Sequence, residues 1–393
     1  MKLLLSLFCI ILLSLPIFSQ IKSESYLDNA TVTSIKEDKD YLWVATYGYG
    51  IFRYSKKEDT WFNLSTKSKN FGNDLLYSLA VSDRYVWAGS DDGLYIYDRK
   101  NGTWKHRKFA VGGQWGNWIR SLCYDSSQNI LWIGRFIDLT RLDVSQNKYK
   151  DINLTENANP RTNDIKVIKM DGDSLIWFGT ESGLHIYDKR KDIDDKNAWT
   201  FIDNKNGFNG DGDAVSISDF LFEGNNVWIS TDEFITPQQP NFNIGGIYIF
   251  DRAKTWLEIY NQNGLPTNGV YCLGKSGNQI WAGIYSFDGN EKKDYGKGIV
   301  LINRFNENVT QIDLNKLNIN SSKVLCMHFD GRNMWLGTDK GLVKVVLYNP
   351  LAELTLSKTK KINNRVIPRK TVKKKKKTQP SKGVKAVKGD SSW

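Results

Sequence analysis

The sequence predicts an all-β protein folded as a seven-bladed β-propeller of four-stranded antiparallel blades, and two observations carry that expectation. Seven tryptophans, Trp43, Trp87, Trp132, Trp177, Trp228, Trp281 and Trp335, recur at spacings of 44, 45, 45, 51, 53 and 54 residues; a period of that size marks a repeat architecture. Each indole sits in the same local phrase, clearest in VWAGSDDGLYIYD from Val86, IWFGTESGLHIYD from Ile176 and MWLGTDKGLVKV from Met334.

The phrase reads as a β-hairpin: an aliphatic residue, Trp, a small residue, a polar turn ending in Gly, then an alternating strand. Asp92-Gly93, Ser182-Gly183 and Lys340-Gly341 stand where the turn needs positive φ, which Gly supplies without steric cost. Another short apolar strand precedes each Trp (VYCL from Val270, VLCM from Val324), and a fourth follows, as in TWFNL from Thr60 and TWLEIY from Thr255. Four short strands per repeat are the unit of a propeller blade. Each blade is covered on both sides by its neighbours, so the indoles read as wedges in the core between sheets. The small residue beside each one lets the next sheet approach. A solenoid would show shorter repeats or helix-period units.

In chain order, residues 1–20 read as a secretory signal peptide. Lys2 supplies the positive charge, Leu3 to Phe18 the apolar run, and cleavage is expected after Ser19 or Gln20. The run is short for a bilayer span, and Cys9 has no lipobox around it. The propeller is expected over 21–357. Its last blade can be completed from within by Leu351 to Leu356, or by an outer strand donated from Ile21 to Leu27, and the first is favoured. Residues 358–393 hold fourteen Lys or Arg against Asp390 alone, giving this segment a charge of +13. The whole chain carries +11, so the basic balance belongs to the tail and the propeller is close to neutral. Such a tail, with Lys373 to Lys377 unbroken, is expected to be disordered.

GLPTNGVYCLGKSGNQIWAGI, from Gly264, joins a linking GLP-x-N-x-V to a Trp-x-Gly. With the seven copies over about residues 29 to 349, this resembles the two-component regulator propeller repeat of bacterial sensor domains. Blades 3, 5 and 6 are degenerate; in blade 3, IGRFIDLTRLD after Trp132 lacks the turn Gly. The resemblance implies a sensor-type propeller that binds a ligand. Family members often add a second propeller, a membrane span and a histidine kinase, and this chain is expected to stand alone without a kinase.

In a propeller the connections from the second to the third strand of a blade, and from the last strand to the next blade, share one face. On that face, long loops of blades 5 and 6 supply Glu233, Phe234, Tyr285, Phe287 and Asp288; AVGGQWGNWIR adds Trp115 and Trp118; blade 1 adds Tyr47 and Tyr49; blade 3 adds Arg135 and Phe136. An aromatic rim with a few charges suits stacking on a glycan, a peptide or another flat small molecule. The competing reading is that the loops pack on each other.

No catalytic apparatus is legible, and the protein is expected not to be an enzyme. His106, His185 and His328 fall on different strands of different blades, which implies no metal or acid–base set. DNKNGFNGDGD from Asp203 is oxygen-rich but lacks EF-hand spacing. No P-loop, dinucleotide fingerprint or nucleophile motif is present, so neither cofactor nor metal is expected. On the innermost strands a column of residues runs Ser34, Ser78, Ser121, Val167, Asp219, Cys272 and Cys326. Equivalent positions point the same way around the ring, so Cys272 and Cys326 are not expected to pair, and Asp219 is expected to serve a hydrogen-bonded structural role. The leading functional reading is a monomeric, exported, periplasmic or secreted module that binds a small molecule, glycan or protein. A lyase or glycosidase resting on Glu233, Asp288 and Glu291 is one alternative. The other is a scaffold held by its basic tail to an anionic envelope polymer or lipid.

Overall fold

The computed structural model describes residues 22–68, 71–234 and 244–347. They form seven antiparallel sheets of four strands each, with the strands of blades 1 to 6 in sequence order. Blade 1 spans Thr31–Leu64, blade 2 Leu76–Arg107, blade 3 Ile119–Ile152, blade 4 Ile165–Ile202, blade 5 Ile217–Ile259 and blade 6 Gly269–Gln311. We name the strands of a blade a to d from the channel outward. Blade 7 takes strands a to c from Val324–Phe329, Asn333–Thr338 and Gly341–Val346, and its outer strand is Lys22–Tyr26, paired antiparallel with Gly341–Val346. This corrects the preference for closure by Leu351 to Leu356, which lie outside the described residues. Tyr26 explains the choice physically: its ring packs at 5.5 Å from Trp61 and 5.9 Å from Trp335, filling the seam between blades 1 and 7. The segments expected as leader (1–20) and basic tail (358–393) also lie outside the described residues. Among those described, no helix is long and apolar enough to cross a membrane.

All seven repeat tryptophans are buried, and each belongs to an apolar cluster built mainly from the next blade. Trp43 meets Leu79, Val86 and Ala88; Trp177 meets Phe220, Val227 and Ile229; Trp335 meets Ile35, Leu42 and Val44 of blade 1 and so closes the ring. Four of the indole N–H groups donate to a side chain at the end of strand a or just beyond it: Trp43 to Asp38, Trp177 to Asp171, Trp281 to Ser276 and Trp335 to Asp330. A polar anchor of this kind fixes the ring's rotation as well as its burial.

The small residue two positions after the indole is required by the neighbouring sheet. A Cβ on Gly179 would sit 2.6 Å from both Ile217 Cγ2 and Val167 Cγ1, and one on Gly134 would sit 2.2 Å from Ser121 Oγ. Strand a carries a register shift at the same place in every blade, as between Val32 and Ser34 or Val270 and Cys272. Such a bulge leaves one residue without a ladder partner and re-aims its side chain. The inner column serves the backbone there. Ser78 donates to Ile119 O, Cys272 to Val324 O and Cys326 to Val32 O, each in the following blade. The three described cysteines are free thiols. Asp219 accepts from the N–H of Leu273 and pairs with Lys169 at 2.6 Å, tying blades 4, 5 and 6.

Blade 3 keeps its turn without glycine because Asp138 adopts φ 73, a conformation that Asp tolerates better than most residues. Blade 6 departs from expectation in another way. Its long connection is ladder, not loop: strands Gln279–Asp288 and Lys293–Asn303 pair to the tip, extending the hairpin beyond its neighbours.

Two outcomes follow from this packing. Gly179→Ala should destabilise the propeller by about 2 kcal/mol, because its new methyl meets two branched side chains with little freedom to yield; urea unfolding checks it. His185 is buried, donates Nε2–H to Thr162 O at 2.9 Å and is held down to about 4 by burial, against a weaker opposing pull from that bond. The unfolded chain therefore takes up this proton first. The contribution of His185 is full above about pH 6.5 and falls as pH drops toward 4. His185→Gln should reduce the stability difference between pH 7.5 and 4.5 by about 2 kcal/mol in parallel urea titrations.

Candidate functional site

The candidate residues gather where strand a begins and strand b ends. Two rings of side chains form this rim. Four residues after each repeat tryptophan stand Tyr47, Asp91, Phe136, Glu181, Asp232, Tyr285 and Asp339. The bulged residues of strand a supply Thr33, Tyr77, Arg120, Lys166, Ser218, Tyr271 and Leu325.

Over blades 1 to 3 the rim is aromatic. Tyr47 meets Tyr77 edge-on at 5.6 Å, Tyr77 meets Trp118 at 5.5 Å, and Trp118 stacks on Phe136 at 5.3 Å with an interplanar angle of 7°. Trp115 closes on both, 5.8 Å from Trp118 and 4.9 Å from Phe136. Tyr47, Tyr49 and Trp115 remain 45%, 48% and 51% exposed, so the row is self-packed along its length yet open on top. Arg135 lies beneath it with no exposure. Its Nη1 donates to Gly116 O at 3.1 Å, its Nη2 lies 3.1 Å from Asp151, and its guanidinium covers Phe109 at 4.8 Å. Arg135 thus holds the short helix Gly113–Asn117 that presents Trp115, and does not itself reach solvent.

Over blades 3 to 5 the rim is charged. Arg120 Nη1 bridges Asp164 at 2.7 Å and Glu181 at 3.1 Å. Lys166 donates to Ser216 Oγ at 2.8 Å and pairs with Asp232. Burial raises Asp164 to about 7, with Glu181 adding to the rise and Arg120 opposing it. Burial also acts to raise Glu181, but Arg120 and Lys166 outweigh it and hold that carboxyl low. Burial, reinforced by the charge of Arg120, brings Lys166 down to about 7.

Blade 6 carries the contacts onward. Tyr285 is buried, donates to Asp232 Oδ1 at 3.1 Å and stacks on Tyr271 at 4.3 Å. Tyr271 bonds Asp294, which pairs with Lys323 at 3.0 Å. Glu233 accepts from Thr267 Oγ1 at 3.3 Å and from Phe287 N at 3.2 Å, and burial raises its pKa against those bonds. Asp288 accepts from Asn290 N and Glu291 N in the hairpin tip, and Glu291 accepts from Tyr295. The three carboxylates considered for catalysis are thus each engaged locally. Phe234 and Phe287 contact each other at 5.2 Å. Residues 235–243 of the blade 5 loop lie outside the described residues.

The three histidines take separate structural places: His106 stacks on Tyr95 at 4.3 Å, His185 is interior, and His328 meets Glu37 at 2.7 Å. Sequence reasoning missed Tyr77, Arg120, Lys166 and Tyr271. They stand one residue before the inner column, a position whose residue type changes from blade to blade across the seven repeats.

No protein-family model matches the chain. It is 26% identical over 369 residues to "Histidine kinase P4" of Formosa agariphila, covering 86% of this chain and 24% of that protein. Among solved structures, it resembles the extracellular domain of the putative hybrid two component system BT4673 from B. thetaiotaomicron. There the TM-score is 0.62 at 18% identity, over 84% of this chain and 40% of the other. It also resembles virginiamycin B lyase from Staphylococcus aureus, with TM-score 0.60 at 11% identity over 83% and 99% of the two chains. The chain thus spans about a quarter of the curated relative it matches. The structural likenesses, at these identities, speak for the fold.

The charged arc generates one outcome. Arg120→Met leaves Asp164 and Glu181 side by side without their shared cation. Stability at pH 7 should fall by about 3 kcal/mol. Both acids then titrate higher in the folded than in the unfolded chain, so the deficit should shrink as pH falls from 7 toward 4; urea midpoints at pH 7.5 and 4.5 read both effects.

Proposed function

We propose that this protein is an exported, non-enzymatic sensor-type propeller that binds a ligand at the rim where strands a begin and strands b end. The observation that carries the proposal is the row Tyr47, Tyr77, Trp118, Phe136 and Trp115, exposed at Tyr47 and Trp115 and half-buried between them, crossing three blades in unbroken contact. Exposed aromatic side chains set on a rigid scaffold offer large contact area at low conformational cost. The extended hairpin of blade 6 and the loop bearing Glu233 and Phe234 flank the same end of the ring. The likeness to an extracellular sensor domain supports both the binding role and export to the periplasm or cell surface. A lyase reading draws only on fold, and Glu233, Asp288 and Glu291 are each held by local hydrogen bonds. The basic tail, in this reading, adds affinity for an anionic envelope polymer or lipid.

A glycan and peptide array probed with the whole chain tests the assignment. Trp115→Ala combined with Trp118→Ala should weaken the strongest hits about tenfold while leaving the fold intact by circular dichroism. Unchanged binding by the double variant would remove the aromatic row from the site.

A further inference from the structure

The aromatic row is electrically uneven, and the unevenness specifies a ligand class. At its blade 3 end the chain supplies its own cation: the Arg120 guanidinium lies 5.9 Å from the centroid of Trp118 and 5.4 Å from that of Phe136. At the blade 1–2 end, Tyr47 and Tyr77 meet edge-on at 5.6 Å, and among the described residues no Lys or Arg lies over either ring. The electron-rich faces there are unoccupied by positive charge.

Beside them stands Asp91, whose charge is felt by the Tyr77 phenol. Asp91 accepts a hydrogen bond from Asn73 Nδ2 at 3.0 Å. Among the described residues it makes no ion pair, while its neighbour Asp92 is matched by Lys108 at 2.6 Å. The rim acids of blades 4 and 5, Glu181 and Asp232, are matched by Arg120 and Lys166. Of the four acids in that ring, Asp91 and Asp339 make no ion pair among the described residues; Asp339 accepts from Ser321 instead, and Asp91 is the one that stands beside the aromatic row. Tyr47, exposed, and Tyr77 and Asp91, each half-buried, with no counter-cation on the carboxylate among the described residues, form a receptor for positive charge.

We propose that Tyr47, Tyr77 and Asp91 form the subsite for an ammonium-type group, a quaternary ammonium or protonated amine, on the ligand of this propeller. The proposal rests on the binding role assigned to the row and adds the charge of the group it takes. An organic cation keeps its attraction to the ring faces with little loss of hydration. Asp91 supplies the charge complement, and Trp118 offers apolar contact to whatever the cation is attached to.

The experiment compares choline with its neutral isostere 3,3-dimethylbutan-1-ol, titrated into the full chain at low ionic strength and followed by saturation-transfer NMR. Choline should bind at least fivefold more tightly than the alcohol. Asp91→Asn and Tyr47→Ala should each weaken choline about threefold to fivefold while leaving the alcohol unchanged, and Tyr47→Phe should retain binding. All three positions are at least partly exposed, so thermal melts of the variants should match the parent. Equal affinity for choline and the alcohol would overturn the cation subsite but leave the row as an apolar platform. No choline binding alongside array hits that depend on Trp115 and Trp118 would overturn the subsite alone. Loss of those hits' dependence would instead remove the parent reading.

Discussion

The structure depends on one contact made seven times: an indole on the second strand of a blade, pressed into the sheet that follows. A four-stranded twisted sheet of this size has two apolar faces and cannot bury either by itself. Stacking buries them, and stacking is finished only when the last blade finds the first. Trp335 against Ile35, Leu42 and Val44 is that last contact. The glycine two residues after most of the indoles exists because the next sheet comes within reach of a Cβ there. Bulges, column side chains and close approach are consequences of the same wedge geometry.

Much of this was legible in the sequence because the repeat is chemically strict where packing is strict. The indole, the small residue and the turn glycine each answer a steric demand, so seven blades could be counted from spacing alone. Where the demand is local and satisfiable in several ways, legibility fell. Asp138 replaces the turn glycine of blade 3 by adopting φ 73 itself. The long segment after Trp281 reads as loop, since its charged and glycine-rich tip lacks apolar alternation, yet cross-strand pairing carries the ladder to the end. Ring closure was ambiguous because a five-residue outer strand has almost no sequence signature. The packing of Tyr26 between Trp61 and Trp335 decides it, and that packing is tertiary.

The candidate site divides along the same line. The aromatic members of the rim announced themselves by standing outside the repeat position. Arg135 looked equally anomalous, but its charge is spent inward, on a carbonyl and an aspartate that support the helix bearing Trp115. The charged members were hidden on strand a, where the bulged position varies from blade to blade while the residue before it is always aliphatic. That freedom follows from the bulge: a residue outside the ladder answers to its neighbours on the rim and not to the sheet. Seven such positions on one frame give a surface whose chemistry differs from blade to blade while the sheets stay alike. Here it runs from Thr33 and Tyr77 through the charged Arg120 and Lys166 to Ser218, Tyr271 and Leu325.

The first described strand lies against the last, with Lys22 opposite Val346. The two ends of the propeller ring, which meet as partners in one ladder, are already almost spliced. A short linker could join them, and new ends could be opened at an exposed turn between outer strands, giving circularly permuted rings with the same seven seams. The same adjacency means that cargo fused at either side would leave from a single sector of the disc, keeping the opposite blades clear.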